Sequence, residues 1–304
     1  MLNHNYKYGA ILADALRVGW KVEDLIGGEK KLDFTRPFLP ESLAGVKGLQ
    51  CLGEAQKLRL NQIRGNSYLH LFGFVEEFIL PYVLEHTQKR LHGDHMAVRA
   101  LVTFAEEEAK HMHLFQRFGQ EFAAGFPVKC GVIGPARDVA AAVLEHGALG
   151  VGLVILHIEW MTQLHYVNSV RSDETIDPLF ESLLRHHWME EAQHAKLDTL
   201  LVDELAQQAG PEGIAKAFDD YLAIGSALDG LLAMQVTLDL ESLSKVTGRR
   251  FNEAERKEIA EAQTRSYRWT FLGSGMTHPN FVKTLNELSA EGARRVAEVA
   301  PVFS

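Results

Sequence analysis

The sequence EEAKH at residues 107–111 returns as EEAQH at residues 190–194. Each stretch contains Glu-x-x-His, and in an α-helix positions i and i+3 lie about 60° apart on one face. A carboxylate and an imidazole from one helix can therefore bind the same metal ion. One such motif arises easily by chance, whereas two of them on separate predicted helices favour a metal site inside a helix bundle.

The composition describes an ordinary folded protein. The 304 residues are 46% hydrophobic and 9% aromatic, which excludes a disordered chain. The formal net charge of -9 and the lack of a basic block argue against a nucleic-acid partner. Cys51 and Cys130 form no CxxC motif, so neither a disulfide framework nor a thiolate metal site is expected.

Two apolar stretches, 68–84 and 149–166, raise the question of a membrane segment. Both are shorter than the roughly 20 residues that a spanning helix needs, and both carry carboxylates that lipid disfavours. The N-terminus has only a short apolar stretch, interrupted by Asp14, and so does not resemble a signal peptide. We therefore expect a cytoplasmic protein without a membrane partner.

Helical spacing dominates the chain, while Gly and Pro divide residues 27–48 into loop and short turns. Asp94 and Asp177 are good N-caps for two of the helices. We expect one all-α domain with an N-terminal helix and loop at 1–48, a four-helix bundle at 49–209 and a C-terminal extension of about three helices at 210–304. The four bundle helices are predicted at 49–91, 94–124, 135–171 and 177–209.

A bundle site of this kind needs one more glutamate from each of the other two helices. Glu159 is the only carboxylate between Glu145 and Asp173, on a helix that is otherwise almost continuously apolar. A lone buried acid must be protonated, paired or bound to metal. In the first helix Glu76 lies on an apolar stripe and is our choice, although the sequence does not settle Glu76 against Glu77.

The spacing of the four glutamates is regular. Glu76 precedes Glu108 by 32 residues, and Glu159 precedes Glu191 by 32 residues. Equal spacing in the two halves is what a pseudo-two-fold site would show. Four glutamates also offset the charge of two divalent ions. Carboxylates with imidazoles suit iron, with manganese as the other possibility, better than copper or structural zinc.

A third histidine lies on the helix of the second motif. His187 precedes Glu191 by four residues and His194 by seven, which puts the three side chains within about 40° of one face. As a ligand, His187 would make one metal position richer in nitrogen than the other. The alternative is a core or rim histidine beside His186.

At these residues the chain resembles the p-aminobenzoate N-oxygenase family of diiron arylamine oxygenases, which has the same bundle and a His-x-x-x-Glu-x-x-His helix. The resemblance covers roughly 60–209 and is most specific at 187–194. It implies a ferritin-like four-helix bundle, with additional N- and C-terminal helices in this chain. It also implies that two ferrous ions activate O2 as co-substrate and that a substrate amine is then oxidised. The seven implied metal ligands are Glu76, Glu108, His111, Glu159, His187, Glu191 and His194.

The resemblance does not extend to the substrate, because no arylamine pocket is recognisable and the tail after residue 210 has no counterpart. The leading hypothesis is a diiron oxygenase of a small organic molecule, acting as a homodimer. It needs an external electron donor, since the chain has no flavin or nicotinamide fingerprint. The alternatives are a ferritin-type iron-oxidising or iron-binding protein and a metal-free helical interaction protein. A manganese catalase or a radical-generating reductase subunit remains open within the dimetal class.

Overall fold

The computed structural model describes residues 2–303. Within them the backbone forms helices and turns but no β-strand, and one isolated bridge joins Gly27 to Lys30. The all-α prediction is therefore confirmed. Three short helices precede the bundle and pack beside it: α1 (Tyr8–Val18), α2 (Val22–Leu25) and α3 (Glu41–Ala44).

Four long helices form the bundle that holds the predicted motifs. A short connection joins the first to the second, and another joins the third to the fourth. The connection between the second and third is long and contains a helix of its own. One long crossover of this kind is the topology of ferritin-like bundles. The helices are α4 (Glu54–Gln88), α5 (His95–Gly125), the crossover helix α6 (Ala136–Leu144), α7 (Ala148–His165) and α8 (Pro178–Thr247).

The two predicted N-caps are present. The Asp94 side chain accepts hydrogen bonds from the backbone N–H groups of Met96 and Ala97 at the start of α5. The Asp177 side chain accepts one from the N–H of Phe180, and Pro178 occupies the first position of α8. Each cap satisfies a backbone donor that the first helical turn leaves unpaired. These local signals place the starts of both motif-bearing helices.

The predicted third helix, 135–171, is wrong as a single element. It is divided into α6 and α7, and α7 passes into a π-helical turn at Tyr166–Val170. The division has a tertiary cause. The backbone N–H of Gly147 donates to Oδ2 of Asp220 at 3.1 Å, and Nδ1 of His146 lies 3.0 Å from Oδ1. Asp220 on α8 thus holds the extended residue between the two helices.

The predicted end of the fourth helix at 209 coincides with a kink. Gly210 has φ of 65° and ψ of -177°, and the helical hydrogen bonding resumes after it to Thr247. Pro211 disfavours the α conformation of the residue before it, and glycine accepts the left-handed region without strain. The second part of α8 carries the chain out of the bundle into the C-terminal extension.

The extension contains more helices than the three expected. Asn252 and Glu255 form a capping box at the start of α9. The helical segment after Thr277 is divided at Ser289, whose hydroxyl accepts from the N–H of Gly292 and starts a new helix. The elements are α9 (Glu253–Arg268), a π-helical turn (Trp269–Gly273), α10 (Ser274–Met276), α11 (Pro279–Leu288), α12 (Ala290–Val299) and a 3-10 turn (Ala300–Phe303).

In the described part of the chain, α8 is the one helix long and apolar enough to cross a membrane by length and composition. Only 33% of its most apolar stretch is buried. Acidic side chains interrupt the helix: Asp229 pairs with Arg268 on α9, and Asp239 accepts from the hydroxyl of Tyr267. These polar contacts attach α8 to the extension.

Candidate metal centre

The structure brings the predicted side chains into the middle of the bundle. α4 contributes one glutamate, α7 one glutamate, α5 a Glu-x-x-His pair and α8 a pair with a further histidine. Each is at most 3% exposed. Burying so many ionisable groups is unfavourable unless they neutralise one another or bind cations. The residues are Glu76, Glu108, His111, Glu159, His187, Glu191 and His194.

Two overlapping sets of side chains have the geometry to hold a metal ion. One set consists of Glu76, His111, His187 and Glu191, and the other of Glu108, His111, Glu191 and His194. In each set the ligand atoms lie within 4.8 Å of one another. His111 and Glu191 belong to both sets, so the two positions are adjacent and fit two metal ions.

Glu159 lies at the edge of this cluster. Its carboxyl group interacts with that of Glu191, and both of its oxygens are buried without an aligned hydrogen bond. The two other histidine side chains of α7 make contacts elsewhere. His157 bonds the Tyr221 hydroxyl at 2.8 Å, and His165 lies 3.0 Å from the hydroxyl of Ser274. Glu159 is thus available to the metal position beside Glu191.

The inward-facing atoms of the cluster are close together but not hydrogen-bonded to one another. Nδ1 of His194 lies 2.8 Å from Oε1 of Glu108, and Nε2 of His187 lies 2.7 Å from Oε1 of Glu191. All four atoms nevertheless lack a hydrogen bond of acceptable geometry. Buried polar atoms rarely lack such partners. Lone pairs directed at a shared point between the residues explain both observations, and a metal ion at that point satisfies them.

The outward ring nitrogens of the two motif histidines are held by the first glutamate of the opposite motif. Nε2 of His111 lies 2.9 Å from Oε2 of Glu190, and Nε2 of His194 lies 2.9 Å from Oε2 of Glu107. A carboxylate that accepts this N–H leaves Nδ1 free to bind metal and fixes the orientation of the ring. The first glutamate of each Glu-Glu pair therefore orients the histidine of the opposite motif.

The surroundings of Glu190 differ from those of Glu107. Lys110 Nζ lies 2.5 Å from Oε1 of Glu190 and 4.3 Å from the centre of the Trp20 ring. The same indole stacks on His111 with ring centres 6.0 Å apart and donates its N–H to the carbonyl of His186. Glu107 has no such cation within residues 2–303. Trp20, which precedes the bundle in the chain, therefore covers the metal position beside His111.

The acids of the cluster divide into two classes. Burial raises the pKa of Glu76, and the carboxylate of Glu108 raises it further. Burial and the neighbouring Glu191 likewise raise the pKa of Glu159. Burial also acts to raise the pKa of Glu108, but the imidazole of His194 is the main opposing influence and the pKa is held at about 2. Without metal, two acids favour the neutral form and one the ionised form.

The remaining groups complete this charge balance. Burial acts to raise the pKa of Glu191, but His187 and His194 together hold it well below the ordinary value. Burial acts to lower the pKa of His111 and of His194, but the carboxylates around them raise both well above the ordinary value. Burial lowers the pKa of His187. Without metal, protons on these acids and imidazoles therefore neutralise the negative charge that metal cations would otherwise neutralise.

Aromatic rings separate the cluster from its surroundings. Phe72 and Phe115 contact His187 from two sides, with ring centres 5.2 Å and 5.0 Å away. Phe104 stacks on His194 at 4.1 Å. Phe115 also lines a groove of about 1090 Å³ between α4 and α5, and Phe72 lines an apolar crevice of about 40 Å³ on the other side.

Sequence reasoning placed Glu76 rather than Glu77 in the cluster, and the structure has the same arrangement, with Glu77 on the groove. It missed Glu107, Glu190 and Asp198. The signal for the first two was the repeated Glu-Glu. Asp198, one turn after His194, is buried with both oxygens unpartnered, and burial together with the carboxylates of Glu108 and Glu191 raises its pKa. Its i+4 spacing from His194 was visible in the sequence.

No protein-family model matches the chain, and no curated protein matches it. Solved structures with a similar fold are of an R2-like ligand-binding oxidase. Its form with an aerobically reconstituted Mn/Fe cofactor is 14% identical, with a TM-score of 0.43 over 88% of this chain and 93% of that chain. A variant with an anaerobically reconstituted Mn/Fe cofactor is 12% identical, with a TM-score of 0.46 over the same shares. A further variant, with a non-activated Mn/Mn cofactor, is 12% identical with a TM-score of 0.43, again covering 88% and 93%.

Proposed function

We propose that this protein is a dimetal oxidase that uses O2 to oxidise a small organic molecule. The observation that carries the proposal is the convergence of buried carboxylates and imidazoles from four helices, with inward atoms that lack hydrogen-bond partners. A structural polar core would have paired those atoms with one another. We assign all seven predicted residues as ligands, with Glu191 between the two positions.

When bound, two iron or manganese ions supply the redox capacity that O2 reduction requires. Carboxylates and imidazoles suit either metal. His111 belongs to both sets, but its one inward nitrogen can bind only one ion. We assign it to the position of Glu76 and His187, which makes that position richer in nitrogen than the one served by His194. Iron at both positions is our proposal for the working enzyme, and manganese is the competitor at the position with fewer imidazoles.

The protein's own groups orient the site and control its protons. Glu107 and Glu190 hold the two motif histidines with Nδ1 directed inward. Glu76 and Glu159, which favour the neutral form without metal, give up their protons when cations arrive. The rings of Phe72, Phe104 and Phe115 exclude bulk water from the cluster, which strengthens the electrostatic interactions inside it.

The finer assignment is N-oxygenation of an amine, as the resemblance to the p-aminobenzoate N-oxygenase family implies. The ligand pattern at 187–194 supports it. We also propose that electrons come from an external donor, that the chain works as a soluble homodimer in the cytoplasm, and that it forms one domain.

Metal content tests the proposal most simply. The chain is stripped of metal, loaded anaerobically with ferrous iron, desalted and assayed for iron. We expect about two ions per chain, fewer than one in Glu191→Gln, and an unchanged count in Glu106→Gln, a matched exposed acid on α5. Oxygen consumption that depends on an added amine and a reductant then supports the oxygenase.

Two results would overturn the proposal. One is a background iron content in the parent chain, as a metal-free interaction protein would show. The other is an iron content that is the same in Glu191→Gln as in the parent. Iron oxidation that proceeds equally with and without any organic substrate would replace the oxygenase with the ferritin-type function.

A further inference from the structure

The groove of about 1090 Å³ lies between the outer faces of α4 and α5, with the crossover segment on its third side. Its volume suits a small-molecule ligand. The apolar crevice beside Phe72 holds only about 40 Å³ and has no charged side chain in its lining. Of these two cavities that approach His187, only the groove has room for an organic substrate.

One aromatic ring separates this groove from the cluster. Phe115 is 4% exposed, lines the groove with one face and contacts His187 at 5.0 Å between ring centres. The rest of the floor is also apolar, formed by Phe74, Phe122 and Phe126. Aromatic side chains of this kind favour a ligand with a ring or an extended apolar body.

Two glycines keep the groove open. Gly73 on α4 and Gly119 on α5 both line it, and a Cβ atom built on either meets nothing within 4 Å. Any larger side chain there would extend into the groove instead of into protein. Glycine within a helix is destabilising by roughly 0.5 to 1 kcal/mol relative to alanine, so the open space is not explained by helix stability.

The groove also carries an unpaired acid. Glu77 is half-buried and makes no hydrogen bond or ion pair with another residue of the described chain. At the opposite end Lys129 is exposed, so solvent screens its charge more strongly. His70 is already bonded to the carbonyl of Ile133 at 2.7 Å. Glu77 is therefore the charged group best placed to select a ligand.

We propose that the groove binds the substrate and that this substrate is a protonated aliphatic amine attached to a ring-bearing apolar body. The amine pairs with Glu77, and the apolar body lies along the phenylalanines beside Phe115. This inference rests on the proposed function, because it places an organic substrate next to the metal pair. It differs from the N-oxygenation of an arylamine proposed above, because a weakly basic arylamine nitrogen is neutral near pH 7 and would leave Glu77 unpaired. A protonated amine held at Glu77 has no lone pair to oxidise, so oxidation would fall on the apolar body beside Phe115.

Binding to the purified full-length chain tests the inference, with 4-phenylbutylamine as the probe and 4-phenylbutanol as its neutral counterpart. We expect isothermal titration to show the amine binding about tenfold more tightly than the alcohol. Gly119→Leu should weaken amine binding at least about tenfold by filling the groove. Glu77→Gln should remove the preference for the amine while leaving binding of the alcohol unchanged.

The matched control is Gly230→Leu. Gly230 is an exposed helical glycine on α8 whose added Cβ also meets nothing within 4 Å, and it does not line the groove. Binding should be unchanged in this variant. Equal affinity of Gly119→Leu and the parent chain for the amine, or equal affinity of the parent chain for amine and alcohol, would overturn the inference. A change of oligomeric state in Gly119→Leu alone would also overturn it, by making the groove an interface with a second copy.

Metal content measured on the same samples separates the two proposals. A parent chain with about two metal ions whose amine binding survives Gly119→Leu rejects the groove and leaves the dimetal proposal standing. A parent chain with background metal content rejects the dimetal proposal, and with it the role of the groove as the substrate site of an oxidase.

Discussion

The two Glu-Glu-x-x-His segments, on α5 and α8, have nearly the same sequence and reciprocal contacts, yet they create different surroundings. Glu107 supports one histidine and has no cation beside it within the described chain. Glu190 supports the other and is also bound by Lys110, which Trp20 covers. His187 has no counterpart on α5. The repeated motif thus specifies two metal positions. Residues other than the glutamates and histidine of the motif, namely Lys110, Trp20 and His187, give the two positions different surroundings.

Removal of a histidine from each half should change metal binding more than any other substitution. His194→Ala should lower metal affinity at its position by more than about 100-fold, because His111 is assigned to the other position and no other imidazole then serves this one. His187→Ala should lower affinity about tenfold, since His111 remains at the same position. Metal titration of the stripped chain measures both. Equal losses in the two variants would contradict the inequality of the positions.

The stability of the metal-free chain should depend on pH differently from that of the metal-loaded chain. Glu76, Glu159, His111 and His194 all have raised pKa values in the metal-free fold. Groups of this kind stabilise the fold below their ordinary pKa values and lose that contribution as pH rises through the raised values. The opposite loss comes from the lowered pKa values of His187, Glu191 and Glu108 and occurs as pH falls below the ordinary values of those groups, for Glu108 as far as about 2.

Bound metal replaces those protons. The difference in melting temperature between loaded and metal-free chain should therefore grow from about pH 6 to about pH 9. Loading at about pH 6 should also release up to about four protons per chain, from the two acids and two imidazoles with raised pKa values. Calorimetry at each pH measures the first effect, and a pH indicator in weak buffer the second. A constant or shrinking temperature difference would contradict the assigned protonation.

The supporting glutamates allow a matched comparison of intermediate size. Glu107→Gln and Glu190→Gln should each lower metal affinity about 10- to 100-fold. Glu190→Gln should in addition lower the free energy of unfolding by about 2 kcal/mol, because it leaves the largely buried ammonium of Lys110 without its carboxylate. Urea denaturation of the metal-free variants measures this difference.

A second substitution checks the cause of that loss. Lys110→Met in the Glu190→Gln background should recover part of the stability, since the unpaired charge is removed. No recovery, or an equal loss of stability in Glu107→Gln, would show that Lys110 does not distinguish the two halves.

The smallest expected effect concerns the indole that covers one half. Trp20→Phe keeps the ring over Lys110 but removes the N–H that bonds the carbonyl of His186 at 3.0 Å. The free energy of unfolding should fall by about 1 kcal/mol, with metal content unchanged. Denaturation with parallel metal analysis measures both. A loss of metal from this variant would mean that Trp20 helps to form the position beside His111.

Local sequence rules predicted much of this arrangement. Helix starts at Asp94 and Asp177, and the convergence of Glu and His at spacing i and i+3, depend on only a few neighbouring residues. The break before α7 was not predictable in the same way. Gly147 is held by Asp220, which lies 73 residues further along the chain. No pattern of neighbouring residues predicts a contact between residues so far apart in the sequence.

The same distinction explains what was missed around the site. The repeated Glu-Glu was visible, but its role depends on the antiparallel packing of α5 and α8, which brings each first glutamate to the opposite histidine. The groove depends on two glycines from different helices facing one open space. Both features belong to the packing of helices and not to either sequence segment alone.

Anomalous diffraction from an iron-loaded crystal would locate the metal ions directly. We expect two iron peaks about 3.5 Å apart. One lies among Glu76, His111, His187 and Glu191, and the other lies beside Glu108 and His194. No peak inside the bundle, or a single peak outside this cluster, would contradict this expectation.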